Sequence, residues 1–432
     1  MKLTGKVVKV VSTLGLSLAT ASIGMATAGA SPYRIDYGVV VPFSGAVSFI
    51  GQISDSGVYP AVNAINAAGG IDGHFVNVTN VDTKGDPADG LTSLAKYLAT
   101  TSNIFAVNGP STTEGPALVP VLNRAKISMM AVAGQSIFNR STLQYFWRPV
   151  PPDAANGVAM AIYAKESHKT RVAVVFGSDA GSQGDLPGVL AGVKAEGLQV
   201  VNSVSLSPSQ PSYAAQVARV LASKPTVIMT ESDPTTAATF FGELSQQTTA
   251  NITILGTSAT VTPVYLNPVQ GAIGKARFAA MYAGISIAQA KPTAATAVFK
   301  TWLLASGKQV SKPAQWIGNS YSELNYDGTI IQALAATAAK SVRPSVWNSY
   351  IPVVANPGKG KVKVYSYAQG VAALHAGKKI QYMGAAGPLN FNSFHNSFAS
   401  FVAQRYSGNG QLVTVGTISQ QQVAAVKIGN VQ

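Results

Sequence analysis

The stretch NGPSTTEGP, residues 108–116, sets small hydroxyl side chains between an apolar run typical of a strand and an apolar-periodic run typical of a helix. The first N–H groups of a helix have no partners within the helix. Together with the hydroxyls of Ser111 and Thr112 they can therefore bind an anion. The same residue types are also common in turns and caps that bind nothing. The stretch predicts either a carboxylate site or a structural cap.

Residues typical of catalytic sites are largely missing. The chain contains no cysteine, so no thiol nucleophile is available, and its four histidines lack the spacing of metal ligands. The phosphate-loop, zinc-protease, nucleophile-elbow and dinucleotide motifs are absent, and the glycine-rich residues 177–188 lack the lysine of a phosphate loop. The sequence therefore predicts a protein that is not an enzyme and that uses no cofactor and no metal.

The charge balance does not favour a nucleic-acid partner. The 432 residues include 31 Lys plus Arg against 17 Asp plus Glu, which gives a net charge of +14. The basic residues are scattered rather than interleaved with aromatics, so we expect no nucleic-acid binding. With 47% apolar residues, the chain is long enough for two or three domains with substantial cores.

The first 30 residues have the pattern of a signal peptide. Three lysines precede a short apolar stretch rich in Ser, Thr and Gly, and small residues at 28–30 form a cleavage site. The apolar stretch is shorter than the roughly 20 residues that a membrane-spanning helix needs. We therefore expect residues 1–30 to be removed, a mature chain that starts near Ser31, and a periplasmic location. Without cysteine, the exported chain has neither a lipid attachment site nor disulfides.

From residue 33 onward, short β-rich runs alternate with runs of helical periodicity. The first strands are predicted near residues 33–41, 75–82, 103–107 and 126–133. The alternation starts again after RPVPPDAANG, residues 148–157, which is typical of a linker in its prolines. Such alternation is typical of parallel sheets covered on both faces, so the sequence predicts two similar α/β lobes.

Several motifs, taken in their order, resemble the solute-binding proteins of ABC importers, in particular the branched-chain amino-acid (leucine/isoleucine/valine) group. They are GVVVPFSGAVSFIGQ, GVYPAVNAINAAGGIDG, VDTKGDPADGLTSLAKYL, VNGPSTTEGPALVPVLNRAKISMMAVAG, VAVVFGSDAGSQGDLPGVLAGVKAEGLQVV and GAAGPLNFN. The resemblance implies two doubly wound parallel-sheet lobes, joined by three crossovers, with a ligand cleft between them. It assigns residues 31–152 and 281–385 to the first lobe, and residues 153–280 and 386–432 to the second.

The resemblance also implies ligand contacts in the first lobe. In relatives, a serine at the position of Ser111 contacts the carboxylate of the ligand, so Ser111 and Thr112 are candidates. The next contact of the family falls in the turn after SMMAVA, where this chain has Gly134, Gln135 and Ser136.

The second lobe departs from the pattern of amino-acid-binding relatives, which hold the ammonium of the ligand with an acid and tyrosines. The corresponding positions here are Gly181, Ser232 and Ser258. Asp179 lies close to the first of them, and Glu231 and Asp233 flank Ser232. Either of the latter two could replace the missing acid, or both could cap the helix that follows.

Apolar walls for the cleft could come from Phe49 or Ile50, together with Tyr321 or Tyr326, although such aromatics are more often core residues. The carboxylate half of the site is thus retained and the ammonium half is not. We therefore expect a small solute that bears a carboxylate or an amide, rather than leucine itself.

The sequence therefore predicts the solute-binding component of an ABC importer, a monomer that delivers a small solute to a permease and its ATPase subunits. A binding protein that reports ligand occupancy to a membrane receptor is an alternative, because the fold does not decide between these roles. An enzyme is the least favoured alternative.

Overall fold

The structure is a computed structural model that describes residues 33–288, 294–406 and 411–426. These residues form two large, mostly parallel sheets with helices packed against them, and a small sheet of two strands. Among them, no helix is long and apolar enough to cross a lipid bilayer. The predicted signal peptide, residues 1–30, lies outside the described residues.

The chain first builds a sheet of five parallel strands. The strands are β1 (Arg34–Val41), β2 (Phe75–Asp82), β3 (Ile104–Ser111), β4 (Met129–Val132) and β5 (Phe146–Trp147), and the helices are α1 (Phe49–Ala67), α2 (Pro87–Thr100) and α3 (Gly115–Arg124). The strand order is β2-β1-β3-β4-β5. Tyr37 and Val39 of β1 lie in one apolar cluster and Val40 in another, so the sheet is buried on both faces.

The second lobe follows. Its strands are β6 (Arg171–Gly177), β7 (Gln199–Leu206), β8 (Val227–Glu231), β9 (Thr253–Gly256) and β10 (Tyr282–Ile287). Its helices are α4 (Asp153–Glu166), α5 (Ala180–Gly184), α6 (Leu186–Ala195), α7 (Ala214–Ala222), α8 (Pro234–Gln247), α9 (Pro263–Ile273) and α10 (Lys275–Met281).

The chain then returns to the first lobe and finally to the second. The first-lobe elements are α11 (Ala294–Ala305), α12 (Ser320–Ala339), α13 (Pro344–Trp347), α14 (Ile351–Ala355), β11 (Val362–Val364), α15 (Tyr367–His375) and β12 (Ile380–Tyr382). The last elements are β13 (Phe401–Tyr406), β14 (Leu412–Ile418) and α16 (Gln420–Ala425). Strands β13 and β14 are antiparallel and extend the second sheet to the order β14-β13-β10-β9-β8-β6-β7.

Strand β10 differs from the sequence-based assignment, which gave residues from 281 onward to the first lobe. It pairs in parallel with β9 and antiparallel with β13, so it belongs to the second sheet. All of its residues are buried, because apolar clusters cover both faces of the sheet: Ala283 and Ile285 lie in one and Tyr282 in the other. The passage back to the first lobe therefore lies after Ile287.

Two of the passages between the lobes run side by side. The backbone of Arg148 donates to the carbonyl of His395 and accepts from the N–H of Ser397, both at 2.9 Å. The buried guanidinium of Arg148 donates to the carbonyl of Gln135 at 3.1 Å and to Asn139 Oδ1 at 2.5 Å. These bonds connect the passage after β5, which contains Arg148, with the passage before β13, which contains His395 and Ser397. They also connect both passages with the turn after β4.

Helix α12 is buried along most of its length and positions one side of the cleft. It packs so closely on α1 that a Cβ at Gly57 would lie 2.4 Å from the carbonyl oxygen of Ser322. The side-chain amide of Asn108, on β3, donates to Asn325 Oδ1 at 2.9 Å. Tyr321, in the first turn of α12, is thereby held beside the end of β3.

The strand orders explain where the cleft lies. Each order reverses at one point, between β1 and β3 in the first lobe and between β6 and β8 in the second. Loops that leave the carboxyl ends of such strands diverge, and ligands of open α/β sheets bind in the crevice between them. Here the loops of both crevices line one common pocket.

Candidate functional site

The pocket is lined from both lobes. The first lobe contributes the loops after β1 and β3, the first turns of α1 and α12, and Val132 of β4. The second lobe contributes the start of α4, the loops after β6 and β8, and Ala259. The sequence-predicted residues on its walls are Phe49, Ile50, Ser111, Thr112, Asp179, Glu231, Ser232, Asp233 and Tyr321.

Ser111, the predicted carboxylate anchor, already binds a carboxylate of the protein itself. Its N–H donates to Glu114 Oε1 at 3.0 Å, and its hydroxyl lies 3.0 and 2.9 Å from Oε1 and Oε2. Glu114 is fully buried; this burial raises its pKa, and the bonds from Ser111 oppose the shift. The N–H and hydroxyl of Ser111 are thus both engaged within the protein, in a contact that precedes α3 and is not a side-chain cap of that helix.

Thr112 and Gly134 hold a side chain that the sequence did not single out, Asp153. The N–H of Gly134 donates to Thr112 Oγ1 at 3.1 Å, and the Thr112 hydroxyl bonds in turn to the Asp153 carboxyl. The N–H of Asp153 donates to the Gly134 carbonyl at 2.9 Å. A Cβ on Gly134 would lie 1.6 Å from Asp153 Oδ1. Gly134 is thus a residue that makes room for an acid at the cleft.

Three other predicted residues do not line the pocket. The carbonyl of Gln135 accepts from the Arg148 guanidinium, and Ser136 is exposed at the start of a short 3₁₀ turn. Ser258 is buried in the turn after β9, where its neighbour Ala259 reaches the pocket instead.

The first lobe supplies an apolar wall. Phe49 and Ile50, at the start of α1, and Tyr321, at the start of α12, line the pocket and are partly exposed. Tyr326 is instead buried against Phe299, with ring centroids 5.1 Å apart. Five residues of α-helix rotate a side chain by about 140°, so the two tyrosines face different environments. The structure thus places Tyr321 at the cleft and Tyr326 in the core.

Two of the predicted acids cap helices. Asp233 Oδ1 accepts from the N–H groups of Thr235 and Thr236, at 3.0 Å each, where α8 begins. Asp179 accepts from the N–H and the hydroxyl of Ser182, at 2.9 and 2.7 Å. Both carboxylates also reach the pocket wall, so capping fixes their position there.

Three further acids of the second lobe form what we call the carboxyl cluster: Asp153, Asp185 and Glu231. Asp185 and Glu231 hydrogen-bond to each other, which requires a proton on one of the two carboxyls. Burial, and then repulsion by Glu231, raises the pKa of Asp153 to about 7 and the pKa of Asp185 well above its usual range. Burial also raises the pKa of Glu231 to about 7, although the Thr257 hydroxyl donates to it.

Helices α4 and α6 bring two members of the carboxyl cluster together by close packing. A Cβ at Gly188 would lie 1.9 Å from the carbonyl oxygen of Ala154, and one at Gly157 would lie 2.4 Å from that of Asp185. Sequence reasoning missed Asp153 and Asp185 because one follows linker-like prolines and the other a glycine-rich loop. The available signal was the four-residue spacing of glycines in α6, which is typical of close helix contact.

Several acceptor atoms of this wall have no hydrogen-bond partner within the described residues: Asp153 Oδ2, Asn156 Oδ1 and Asp185 Oδ1. Asn156 and Asp185 are 6% and 3% exposed. Five carboxyl side chains line the pocket, and none of its described lining residues is Lys, Arg or His. A buried polar group without a partner costs about 1–3 kcal/mol. The wall therefore suits a ligand that brings hydrogen-bond donors.

Two α/β lobes whose strand orders reverse on either side of one pocket define a type I, two-lobed binding protein. A family model described as "Periplasmic binding protein" matches residues 34–350. The chain therefore belongs to the periplasmic binding protein family. The fold that the sequence resemblance implied, two doubly wound lobes around a cleft, is confirmed.

The chain is 28% identical over 203 residues to Leu/Ile/Val-binding protein homolog 3 of Brucella melitensis biotype 1. This match covers 46% of the chain and 54% of the relative, so it spans about half of the relative's length. A solute-binding protein of an ABC transporter from R. palustris, in complex with benzoate, has a similar structure. The TM-score is 0.71 at 15% identity, and the match covers 89% of this chain and 96% of the other. The leucine-binding protein LivK from Thermotoga maritima MSB8 has a TM-score of 0.69, 17% identity, and coverage of 90% and 99%. The curated relative is a branched-chain amino-acid-binding protein homologue. The two solved structures show the shared fold.

Proposed function

We propose that the protein is the solute-binding component of an ABC-type importer, which captures a small solute between its lobes and delivers it to a membrane permease. The observation that carries this proposal is the pocket, which both lobes line at the switch points of their sheets. Membership of a family of solute-binding proteins supports the transport role.

The contacts refine the class of solute. Ser111 is engaged with Glu114, and the pocket wall carries five carboxyl groups without a basic residue among the described ones. The sequence led us to expect a solute with either a carboxylate or an amide. Because the wall is acidic, it favours an amide-bearing solute over one with a carboxylate. We therefore propose a solute that presents nitrogen donors to the second lobe and an apolar part to Phe49, Ile50 and Tyr321.

Thermal denaturation with a panel of small amines, amides, amino acids and organic acids tests solute capture, and calorimetry then measures the affinities. A ligand at 100 times its Kd stabilises the native state by about 2.7 kcal/mol. We expect at least one nitrogen-bearing class to bind and to be recovered unchanged. Chemical conversion of the ligand, or failure of every class to bind, would contradict the proposal.

The proposal includes a periplasmic location and action as a monomer without a cofactor. N-terminal sequencing of the protein from its native host should show a chain that starts near Ser31. A retained leader on a membrane-bound protein would contradict this location. Deletion of the protein should abolish uptake of its solute. A receptor response to the solute without any uptake would favour the sensory alternative.

A further inference from the structure

The second-lobe wall of the pocket has more acceptors than donors. The carboxyl cluster supplies six oxygens, of which Asp153 Oδ2 and Asp185 Oδ1 have no partner among the described residues. Asn156, one helical turn after Asp153, adds a side-chain oxygen that is unpartnered and enclosed, since the residue is 6% exposed. All four side chains border the same pocket. The wall is therefore built to receive several donors in one place.

We propose that this wall binds the charged nitrogen group of an organic cation, an ammonium or a guanidinium, whose hydrocarbon part lies against Phe49, Ile50 and Tyr321. The inference rests on the proposed capture of a nitrogen-bearing solute and narrows it to charged amines and guanidines. The position differs from the one that the family pattern suggested, which was Gly181, Ser232 and Ser258.

The charge of the cluster favours a cation over a neutral donor. An amide supplies N–H groups but leaves the repulsion among Asp153, Asp185 and Glu231 in place. A cation supplies N–H groups as well, and its positive charge also offsets this repulsion. A nearby positive charge therefore favours the ionised form of the carboxyls. Within the described residues, no group of acidic or histidine side chains has an arrangement suited to a metal ion. An organic cation is thus the ligand class that satisfies both the charge and the unpartnered oxygens.

The opposite wall supports the same ligand class. Burial, and then the charges of Asp153, Glu231 and Asp185, raise the pKa of the Tyr321 phenol well above its usual range, so this ring lies within electrostatic reach of the cluster. An aromatic ring beside a cation attracts it through its π-electrons. Phe49 and Ile50 leave apolar surface exposed to the pocket, which a hydrocarbon body would cover.

Binding of a cation should release a proton. Asp185 and Glu231 share one proton in their mutual hydrogen bond. When the cation takes its place, both groups are carboxylates and the proton passes to the buffer. The other charged or titratable groups around them come from seven elements of both lobes: Arg148 after β5, Asp153 at the start of α4, Asp179 after β6, Asp233 after β8, Tyr265 of α9, Tyr282 of β10 and Tyr321 of α12.

Four ligands with one hydrocarbon body test the inference: 3-methylbutylamine, 3-methylbutylguanidine, 4-methylpentanamide and 4-methylpentanoate. We expect the amine or the guanidine to bind at least roughly tenfold more tightly than the amide and the acid, a difference of about 1.4 kcal/mol. The heat of binding of the cation should change with the ionisation enthalpy of the buffer, because a proton is released.

The variants Asp185→Asn and Asn156→Ala locate the site. We expect Asp185→Asn to weaken cation binding by roughly tenfold, since a charge-assisted bond becomes a neutral one. At pH 8, where Asp153 and Glu231 are ionised, it should also remove the proton release. Asn156→Ala should weaken cation binding by a smaller factor and provides a second variant if Asp185→Asn does not fold. Asp86→Asn is the matched control: it removes the same charge at the start of α2, where asparagine is an equally good cap.

The outcomes separate the two proposals. Tighter binding of the acid or the amide than of either cation would overturn the cation inference and leave solute capture standing. Equal loss in Asp86→Asn and Asp185→Asn would assign the effect to net charge and overturn the location. Failure of every amine and guanidine to bind would overturn the inference, and failure of the wider solute panel as well would overturn the proposed function.

Discussion

The two walls of the cleft occupy equivalent places in the two lobes but satisfy their polar groups differently. In the first lobe, the acids near the strand ends have internal donors: Glu114 accepts from Ser111, and Asp82 accepts from the N–H groups of Phe43 and Lys84 at 2.8 and 2.9 Å. In the second lobe, Asp185 keeps an oxygen without a partner among the described residues.

This difference shows what the fold decides and what the side chains decide. A reversal of strand order gives each lobe a crevice at the same point of its sheet. The first-lobe carboxylates Asp82 and Glu114 accept hydrogen bonds from their own lobe, whereas the second-lobe wall keeps buried carboxyl oxygens that cost free energy until a donor arrives. Substitutions in the first wall should therefore change stability, and substitutions in the second should change binding.

The largest expected effect comes from Gly134, whose N–H donates to Thr112 Oγ1 and whose carbonyl accepts from the N–H of Asp153. Gly134→Ala would place a Cβ 1.6 Å from Asp153 Oδ1, so the carboxyl must leave its position. We expect solute affinity to fall by roughly 100-fold or more, with a folding cost of about 1–3 kcal/mol from the steric conflict. Calorimetry and denaturant unfolding measure the two effects.

Gly271→Ala is the control for this substitution, because nothing lies within 4 Å of the added Cβ and the residue lies within α9. It should leave affinity unchanged and raise stability by roughly 0.5–1 kcal/mol. An affinity of Gly134→Ala equal to that of the unmodified chain would show that Asp153 plays no part in binding.

Ser111→Ala sharpens the comparison from the first-lobe side. It removes a hydroxyl from the buried Glu114 carboxyl, which should cost about 1–3 kcal/mol of stability. The affinity should change by less than about threefold, an energy difference below about 0.7 kcal/mol. In a Glu114→Gln background the same substitution should cost less, because the bond lost is between neutral groups. A tenfold loss of affinity without loss of stability would instead restore Ser111 as a ligand contact.

Local features of the fold could be predicted from the sequence because they depend on neighbouring residues. Strand β2 has the predicted bounds, Phe75–Asp82, and Asp86, next to Pro87 in the sequence, caps α2 by accepting from the N–H groups of Ala88 and Asp89. The Ser111–Glu114 contact was also local. The two residues are only three positions apart, and their contact competes with the ligand interpretation of Ser111.

The carboxyl cluster could not be predicted in the same way. Asp153, Asp185 and Glu231 come from three separate elements, and only the packing of α4 on α6 and the order of the second sheet bring them together. Glu231 was a candidate because it flanks Ser232, a position where the family resemblance implies a ligand contact. Whether the donors to these carboxyls are internal or come from a ligand depends on side chains that are distant in sequence.

The pH dependence should have opposite signs for binding and for stability. Asp153 and Glu231 have pKa values raised to about 7, so they are ionised and ready for a cation only above that pH. We expect the affinity for 3-methylbutylamine to fall by roughly tenfold for each proton that must be displaced as the pH is lowered one unit below 7. Calorimetry at pH 8.0, 7.0 and 6.0 measures this decrease, and a constant affinity would contradict it.

The stability of the free protein should change in the other direction. The native state retains protons on Asp153 and Glu231 between about pH 4 and 7, where the unfolded chain has released them. More protons are bound in the native state, so the free energy of unfolding falls as pH rises through this window. The buried Asp327, whose pKa burial also raises to about 7, acts in the same direction without touching the pocket. Melting temperatures that rise steadily from pH 4.5 to 7.5 would contradict this sign.

The smallest expected effect is also the one that separates the walls most directly: Asp185→Asn should stabilise the free protein. Asp185 is 3% exposed, and its pKa is raised well above the usual range by burial and then by repulsion from Glu231 and Asp153. An asparagine amide can donate to Glu231 as the protonated carboxyl does, but it carries no charge that burial or repulsion disfavours.

At pH 8 we expect a gain of about 0.5–2 kcal/mol in the free energy of unfolding, of the size typical of stabilising substitutions. At pH 5 the gain should shrink, because Asp185 is then protonated in the native protein while the unfolded chain has begun to take up the same proton. Asp86→Asn should show no such gain at either pH. Denaturant unfolding at the two pH values measures both variants, and a loss of stability in Asp185→Asn at pH 8 would mean that this carboxylate supports the fold, as Glu114 does in the other lobe.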